Sequence, residues 1–186
     1  MRFSKTDWIE RGMEQLAEAG PAGLTIERLC AAAERTRGSF YHHFSDHDAF
    51  IRALMEHWKK RDTEDVIAAV ETGDGASDRA VELNALASAL NHRLEGRIRQ
   101  LAQKDETAAA ILAGVDETRV EYLAALYRDG RRLEHAQALT LAQLEYAACV
   151  GAQMLWPDAP PPALEALGAA FIKLARTDRV AETLKP

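Results

Sequence analysis

The stretch from residue 24 to residue 44 carries the side chains of this sequence that are best suited to bind nucleic acid. Each of them offers a hydrogen-bond donor: Arg37, Ser39, Tyr41, His42 and His43. Phosphate oxygens and the edges of bases accept such hydrogen bonds, and the fork of arginine fits the two acceptors of guanine. The residue types therefore predict a surface that contacts DNA.

Two short helices must position these side chains. Thr25 precedes apolar residues at the spacing of one helix face: Ile26, Leu29, Cys30 and Ala33. Thr36 offers a second cap, because a hydroxyl oxygen can accept from the unpaired backbone N–H groups at a helix start. Phe40 and Phe44 share one face of the second helix, which we predict from Thr36 to His43, and both should be core. Two short helices joined so tightly predict a helix-turn-helix.

The run R-G-S-F-Y-H-H-F at residues 37–44 is the most specific motif of the sequence. Further residues match the same pattern in register and without gaps: Leu16, Gly20, Thr25, Leu29, Ala33 and Thr36. On these residues the stretch from about Trp8 to Leu54 resembles the DNA-binding domain of the TetR family of bacterial transcriptional regulators. The resemblance implies an N-terminal helix-turn-helix domain at residues 1–48, joined to a helical effector-binding and dimerisation domain at 49–186.

The resemblance also implies roles for individual residues. Thr25, Tyr41 and His43 match positions that usually contact phosphates. Side chains that project from the second helix are predicted to read bases, and a glycine among them lets the backbone approach the DNA. The complete predicted DNA-binding set is Thr25, Arg35, Thr36, Arg37, Gly38, Ser39, Tyr41, His42, His43 and His47.

Three residues depart from the family pattern. Glu34 and Arg35 stand in the turn where the family usually has Gly-Val, and a glycine there supplies a positive φ. Arg35 replaces a packing residue and is predicted to reach a phosphate instead. His47 replaces a common lysine and gives a weaker contact at neutral pH. The alternative for the turn is that the first of the two helices simply continues through Glu34.

The charge is unevenly divided along the 186 residues, of which 47% are hydrophobic and 28% charged. Residues 1–61 have a net charge of +1 and contain four of the six histidines, whereas residues 62–186 have a net charge of −7. A DNA-binding chain needs a basic contact face rather than a basic total. The acidic remainder would be repelled by DNA and would orient the other end towards it.

The remaining sequence is helical in pattern, without strand-like alternation, so we predict an all-α protein. Helices are predicted at 4–19, 46–71, 78–91, 94–104, 106–129 (ending at Gly130), 133–156 and 161–177, with a loop at 72–77 and a frayed tail after Arg176. Cys30 and Cys149 should be buried small hydrophobes in a reducing compartment. No apolar run is long enough to span a bilayer and no signal core is present, so we expect a cytoplasmic protein.

No motif for catalysis, for a metal or for a cofactor is present, which argues against an enzyme. The favoured hypothesis is a homodimeric repressor that a small-molecule effector releases from its DNA operator, with the dimer formed through residues 133–176. The alternative is a dimeric effector-binding or protein-interaction module that has lost DNA binding. The effector contacts stay unknown, since the candidate lining residues are better explained as plain core: Trp58, Leu90, Leu101, Tyr122 and Met154.

Overall fold

A computed structural model describes residues 3–72, 75–131 and 133–175, and every regular element within these ranges is helical. The α-helices are α1 Lys5–Ala19, α2 Ile26–Ala33, α3 Arg37–Tyr41, α4 His47–Lys59, α5 Asp65–Val70, α6 Ala76–Ser88, α7 His92–Ala102, α8 Glu106–Arg131, α9 His135–Leu155 and α10 Pro161–Ala175. A 3₁₀ turn spans Gly20–Leu24, and a π-helical turn spans Lys60–Glu64. The predicted all-α class with an N-terminal helix-turn-helix is confirmed.

Short-range signals set the ends of α1. Ser4 Oγ accepts a hydrogen bond from the Asp7 amide, and the Asp7 carboxylate accepts one from the Ser4 amide, which forms a capping box. At the other end Gly20 has a φ of 68°, and its amide donates to the carbonyl of Leu16. Glycine adopts this left-handed φ without a steric cost, so the helix ends there as predicted.

The described chain divides into two compact units. The first comprises Met1–Lys60 and Arg93–Gly114. Its core contains large apolar residues of α1 and α4: Trp8, Ile9, Met13, Leu16, Phe50, Leu54 and Trp58. Trp8 is fully buried, so it is a core residue and not a stacking platform. The two units are defined by backbone packing alone. The boundary at residue 48 between the predicted DNA-binding domain and the effector-binding domain therefore stays a prediction.

Of the described residues, the second unit comprises those between Arg61 and His92 and those from Val115 to Ala175. One cluster of its core is built from small side chains of α8 and α9, Ala124, Ala138 and Ala142, with larger apolar residues packed around them. Elsewhere α10 packs against α6, where the Asn84 amide nitrogen donates to the Glu165 carbonyl at 2.9 Å. A Cβ added to Gly168 would lie 1.8 Å from the Asn84 Oδ1, so Gly168 packs within its own chain.

Three details correct the sequence analysis. The predicted helix 46–71 is interrupted by the π turn between α4 and α5. Gly130 does not end its helix, since α8 continues to Arg131. Cys149 is exposed, whereas Cys30 is buried as predicted. An apolar stripe gives the direction of a side chain but not the presence of a neighbour that covers it. The buried apolar residues of α9 end at Ala142, and the buried residue beyond Cys149 is the polar Gln153.

Two predictions fall partly or wholly outside the described ranges. Gly73 and Asp74 of the loop predicted at 72–77 lie outside the described part of the chain, as does the tail predicted after Arg176. Ala76 and Ser77 belong to α6 and not to the predicted loop. Within that part, no helix combines the length and the apolar character needed to cross a membrane.

Candidate nucleic-acid interface

Three capping residues fix the helices of the candidate interface. Thr25 Oγ1 accepts from the Arg28 amide and Thr36 Oγ1 accepts from the Ser39 amide, both at 3.3 Å, which starts α2 and α3 where the sequence predicts. Asp46 starts α4, because its Oδ1 accepts from the Ala49 amide at 2.7 Å. That hydrogen bond is the main cause that lowers the pKa of the Asp46 carboxyl, so the carboxylate that caps α4 stays ionised to a lower pH than an ordinary aspartate does.

The turn between α2 and α3 has the geometry that the sequence predicts. Glu34 has a φ of 52° and a ψ of 44°, in the left-handed region, and it is the only non-glycine residue with a positive φ in the described part of the chain. The amides of Glu34 and Arg35 donate to the carbonyls of Ala31 and Cys30, which closes the end of α2. The alternative of a helix continuing through Glu34 is wrong.

The recognition helix α3 is positioned by one side chain. It has only five residues, too few to be stable alone, and Phe40 is its buried residue. The Phe40 ring contacts the rings of Trp8, Phe44 and Phe50 at centroid distances of 5.4, 5.1 and 5.5 Å. Phe40 and Phe44 are therefore core, as predicted, and the opposite face of α3 is left for a partner.

That opposite face presents most of the residues predicted to contact DNA. Arg37, Gly38, Tyr41 and His42 are exposed, and Ser39 is half-buried. A Cβ on Gly38 would meet only the Thr36 hydroxyl, at 3.7 Å, so packing within the protein does not require glycine here. The absence of a side chain at Gly38 is consistent with a close approach of the backbone to DNA.

Two of the predicted phosphate contacts are hydrogen-bonded to the protein backbone. His43 Nε2 lies 3.1 Å from the Phe3 carbonyl oxygen, and His47 Nε2 lies 2.8 Å from the Leu24 carbonyl oxygen. A carbonyl oxygen only accepts, so Nε2 carries the hydrogen and donates in both rings. In the neutral ring Nδ1 is then an acceptor, and a phosphate contact through Nδ1 needs the imidazolium form.

Arginine side chains on this surface have partners in the chain. The Arg35 guanidinium lies over the Phe3 ring at 5.2 Å and donates to the Glu34 carbonyl, while remaining exposed. Arg37 forms an ion pair with Glu27 of α2. Burial is the main cause that raises the pKa of the Cys30 thiol. The nearby charge of Glu27 also raises this pKa, and the charge of Arg37 lowers it. Phe3 and Glu27 contact arginines that are predicted to bind DNA, and the sequence analysis missed both.

Replacing Glu34 by glycine is expected to raise the melting temperature. A left-handed φ costs a residue with a Cβ about 1 kcal/mol, and glycine adopts that φ without strain. Glu34→Ala is the control, since alanine removes the carboxylate but keeps the Cβ. Thermal melts of the three proteins should therefore place the glycine variant above both others. A glycine variant that melts below wild type would show that the turn holds Glu34 without strain.

Comparisons with known proteins agree with this geometry. Residues 9–54 match the family model described as bacterial regulatory proteins, tetR family. No curated protein matches the sequence. Among solved structures, the chain is similar to a transcriptional regulator from Rhodococcus sp. Rha1, with 19% identity, a TM-score of 0.78 and coverage of 92% of this chain and 95% of the other.

Two further structures are similar along most of the chain. Reduced NemR of E. coli has 20% identity and a TM-score of 0.72, over 91% of this chain and 95% of that one. FadR from Bacillus subtilis, in complex with stearoyl-CoA, has 15% identity and a TM-score of 0.70, over 92% and 97%. At these identities the likeness shows a shared fold, which extends from the helix-turn-helix through the C-terminal helices.

Proposed function

Because residues 9–54 belong to the tetR family of bacterial regulatory proteins, we propose that this chain is a homodimeric transcriptional repressor that a small effector releases from DNA. One observation carries the proposal: a capped helix-turn-helix presents α3 outward, with Phe40 in the core and Arg37, Tyr41 and His42 exposed. A helix presented in this way fits the major groove.

Residue roles at the DNA follow from position and hydrogen-bonding capacity. We assign phosphate contacts to Thr25, Thr36, Tyr41, His43 and His47, with Arg35 as a further cation at the edge of the interface. Arg37, Ser39 and His42, which lie on α3 or at its C-cap, are assigned to base edges, since Tyr41 of the same helix matches a position that usually contacts a phosphate. Gly38 allows the close approach. Phosphate contacts set the affinity for all DNA, whereas base contacts set the preference among sequences.

Dimerisation is assigned to an apolar face on α9 and α10. Its large side chains are 47–70% exposed in the single chain: Leu144, Met154, Leu155, Trp156, Leu167 and Leu174. Leu155, Trp156 and Leu167 also line a cavity of about 640 Å³ at the junction of the two helices. An exposed apolar patch of this kind is typical of a protein interface. Gly151 has no atom near its absent Cβ and suits such a face, whereas Gly168 is covered by Asn84.

Effector release needs a segment that can transmit a movement to α4. The π turn at Lys60–Glu64 directly follows α4 in the chain. Arg119 of α8 holds it through Nε to the Thr63 hydroxyl at 2.9 Å and through Nη2 to the Asp62 carbonyl at 3.2 Å. Single π turns are frequent at functional sites. We propose that a bound effector alters this attachment, as a ligand complex exists for the similar FadR.

Selection from a random pool of DNA duplexes tests the proposed function. A homodimer with one α3 from each subunit is expected to select an inverted repeat whose half-sites lie about one helical turn apart. The protein should then bind the selected duplex in preference to an excess of unrelated DNA at physiological salt. Failure to enrich any sequence would favour the second function, a helical effector-binding or interaction module without DNA binding.

A further inference from the structure

The ion pair between Glu27 and Arg37 places a carboxylate inside the DNA-facing surface. Glu27 lies in the first turn of α2 and Arg37 begins α3, and the Arg37 Nη2 donates to Glu27 Oε1. Both side chains are 63% exposed. An exposed ion pair contributes little to folding, because water screens it and two long side chains lose their freedom. The ion pair joins the two helices of the helix-turn-helix on the surface predicted to face DNA. Its position therefore suggests a role in the recognition of DNA.

We propose that Glu27 determines specificity by holding the Arg37 guanidinium for guanine and withholding it from phosphates. This inference rests on the proposed function, since it concerns base reading by α3. An arginine without a partner binds any nearby phosphate and so strengthens binding to every sequence. An arginine paired with a carboxylate has two ways to bind DNA. It breaks the ion pair for a DNA group that binds it as strongly, or it binds the DNA group while the ion pair stays intact.

Guanine meets this condition better than a phosphate does. Glu27 occupies one Nη group of Arg37, and the guanidinium has five N–H donors in all. The remaining donors can form the two parallel hydrogen bonds to O6 and N7 of guanine while the ion pair stays intact. A phosphate next to the same arginine would meet the negative charge of Glu27, which repels it. Glu27 is thus a positioning residue that acts through Arg37.

The experiment is a double-mutant cycle with DNA binding as the readout. Glu27→Gln keeps the size of the side chain and removes its charge. We expect it to tighten binding to unrelated DNA, to steepen the salt dependence by about one phosphate contact, and to reduce the preference for the selected sequence about tenfold. In the Arg37→Ala background, Glu27→Gln should tighten binding to all sequences only as far as the loss of one negative charge does, and it should leave the preference unchanged, because Arg37 carries the effect on preference.

Glu34→Gln is the matched control. It removes the same charge from the neighbouring turn, where the carboxylate is exposed and Arg37 is paired with Glu27 instead. We expect this variant to tighten binding to the selected and to unrelated DNA by the same factor, leaving the preference unchanged. Melting curves of all variants show whether each protein is folded at the temperature of the binding assay.

Three outcomes would overturn the inference. One is an equal effect of Glu27→Gln with and without Arg37, which would show general repulsion of phosphates. Another is a Glu27→Gln protein that keeps the wild-type preference. The third is a loss of preference in Glu34→Gln as large as that in Glu27→Gln. Failure of the proposed function looks different, since the wild-type protein would then select no sequence at all, and the inference would fall with it.

Discussion

Leu155→Glu is expected to convert the proposed dimer into monomers. Leu155 is 70% exposed in the single chain and lies where α9 meets the cavity beside α10. In a dimer formed through this face its side chain is buried, and a glutamate there would leave an unpaired charge in an apolar interface. Such a charge costs about 3–5 kcal/mol, which corresponds to a loss of more than a hundredfold in the dimerisation constant.

Sedimentation velocity over a range of concentrations measures this change. Val81→Glu is the matched control, because Val81 is 55% exposed on α6 and lies outside the α9–α10 apolar face. The control should remain dimeric and should bind the selected inverted repeat as wild type does. The Leu155→Glu monomer should bind a single half-site and lose the tight binding to two. A Leu155→Glu protein that remained dimeric would move the interface away from this face.

Gly151→Glu offers an independent test on the same helix. No atom of the chain lies within 4 Å of the position of an added Cβ at Gly151, so the substitution does not disturb the single chain. The corresponding change at Gly168 would not test dimerisation. There an added side chain meets Asn84 and breaks its hydrogen bond to Glu165, so a loss of stability would result from packing within the chain.

Arg37→Ala and Tyr41→Phe should weaken DNA binding in two different ways. Arg37→Ala is expected to relax the preference at one base pair of each half-site, at a cost of about 1–3 kcal/mol there. Tyr41 is 51% exposed, and its ring packs edge-on against Phe40. Tyr41→Phe keeps that packing and removes the hydroxyl, so it should weaken binding to all sequences by the same factor.

Binding of each variant to the selected sequence and to single-base variants of it separates the two roles. If Arg37→Ala weakened binding to every sequence equally, Arg37 would be a phosphate contact. If Tyr41→Phe changed the preferred base at any position, the tyrosine would take part in base reading. Each result would overturn the role assigned to the residue concerned, and the first would also remove the basis for the role of Glu27, which acts through Arg37.

Features set by neighbouring residues could be predicted from the sequence alone. The start of α2 at Thr25 and of α3 at Thr36 depends on hydrogen bonds that reach three residues. The positive φ of Glu34 is expected from the glycine that the resembling family usually has at this position, and the burial of Phe40 follows from the spacing of its helix face. These interactions are local, so residue type and spacing contain the information that determines them.

The tertiary structure decides which residues that are distant in the chain contact each other. Glu27 lies ten residues from Arg37, and His43 lies forty residues from Phe3. Long polar side chains have several partners within reach, and only the packing of the helices determines which one they meet. No spacing rule links such pairs, which is why the sequence predicts a DNA contact for Arg37 but not the carboxylate that holds it.

Which side chains of α9 and α10 are buried also could not be predicted from the sequence. The sequence analysis predicts one dimer interface along residues 133–176. The structure separates its members, since Leu141 is buried within the chain, Leu144 and Leu155 are exposed, and Gly168 packs on Asn84. Periodicity fixes the direction of a side chain from its own helix. What covers that side chain depends on a second helix, whose placement is set by the whole fold.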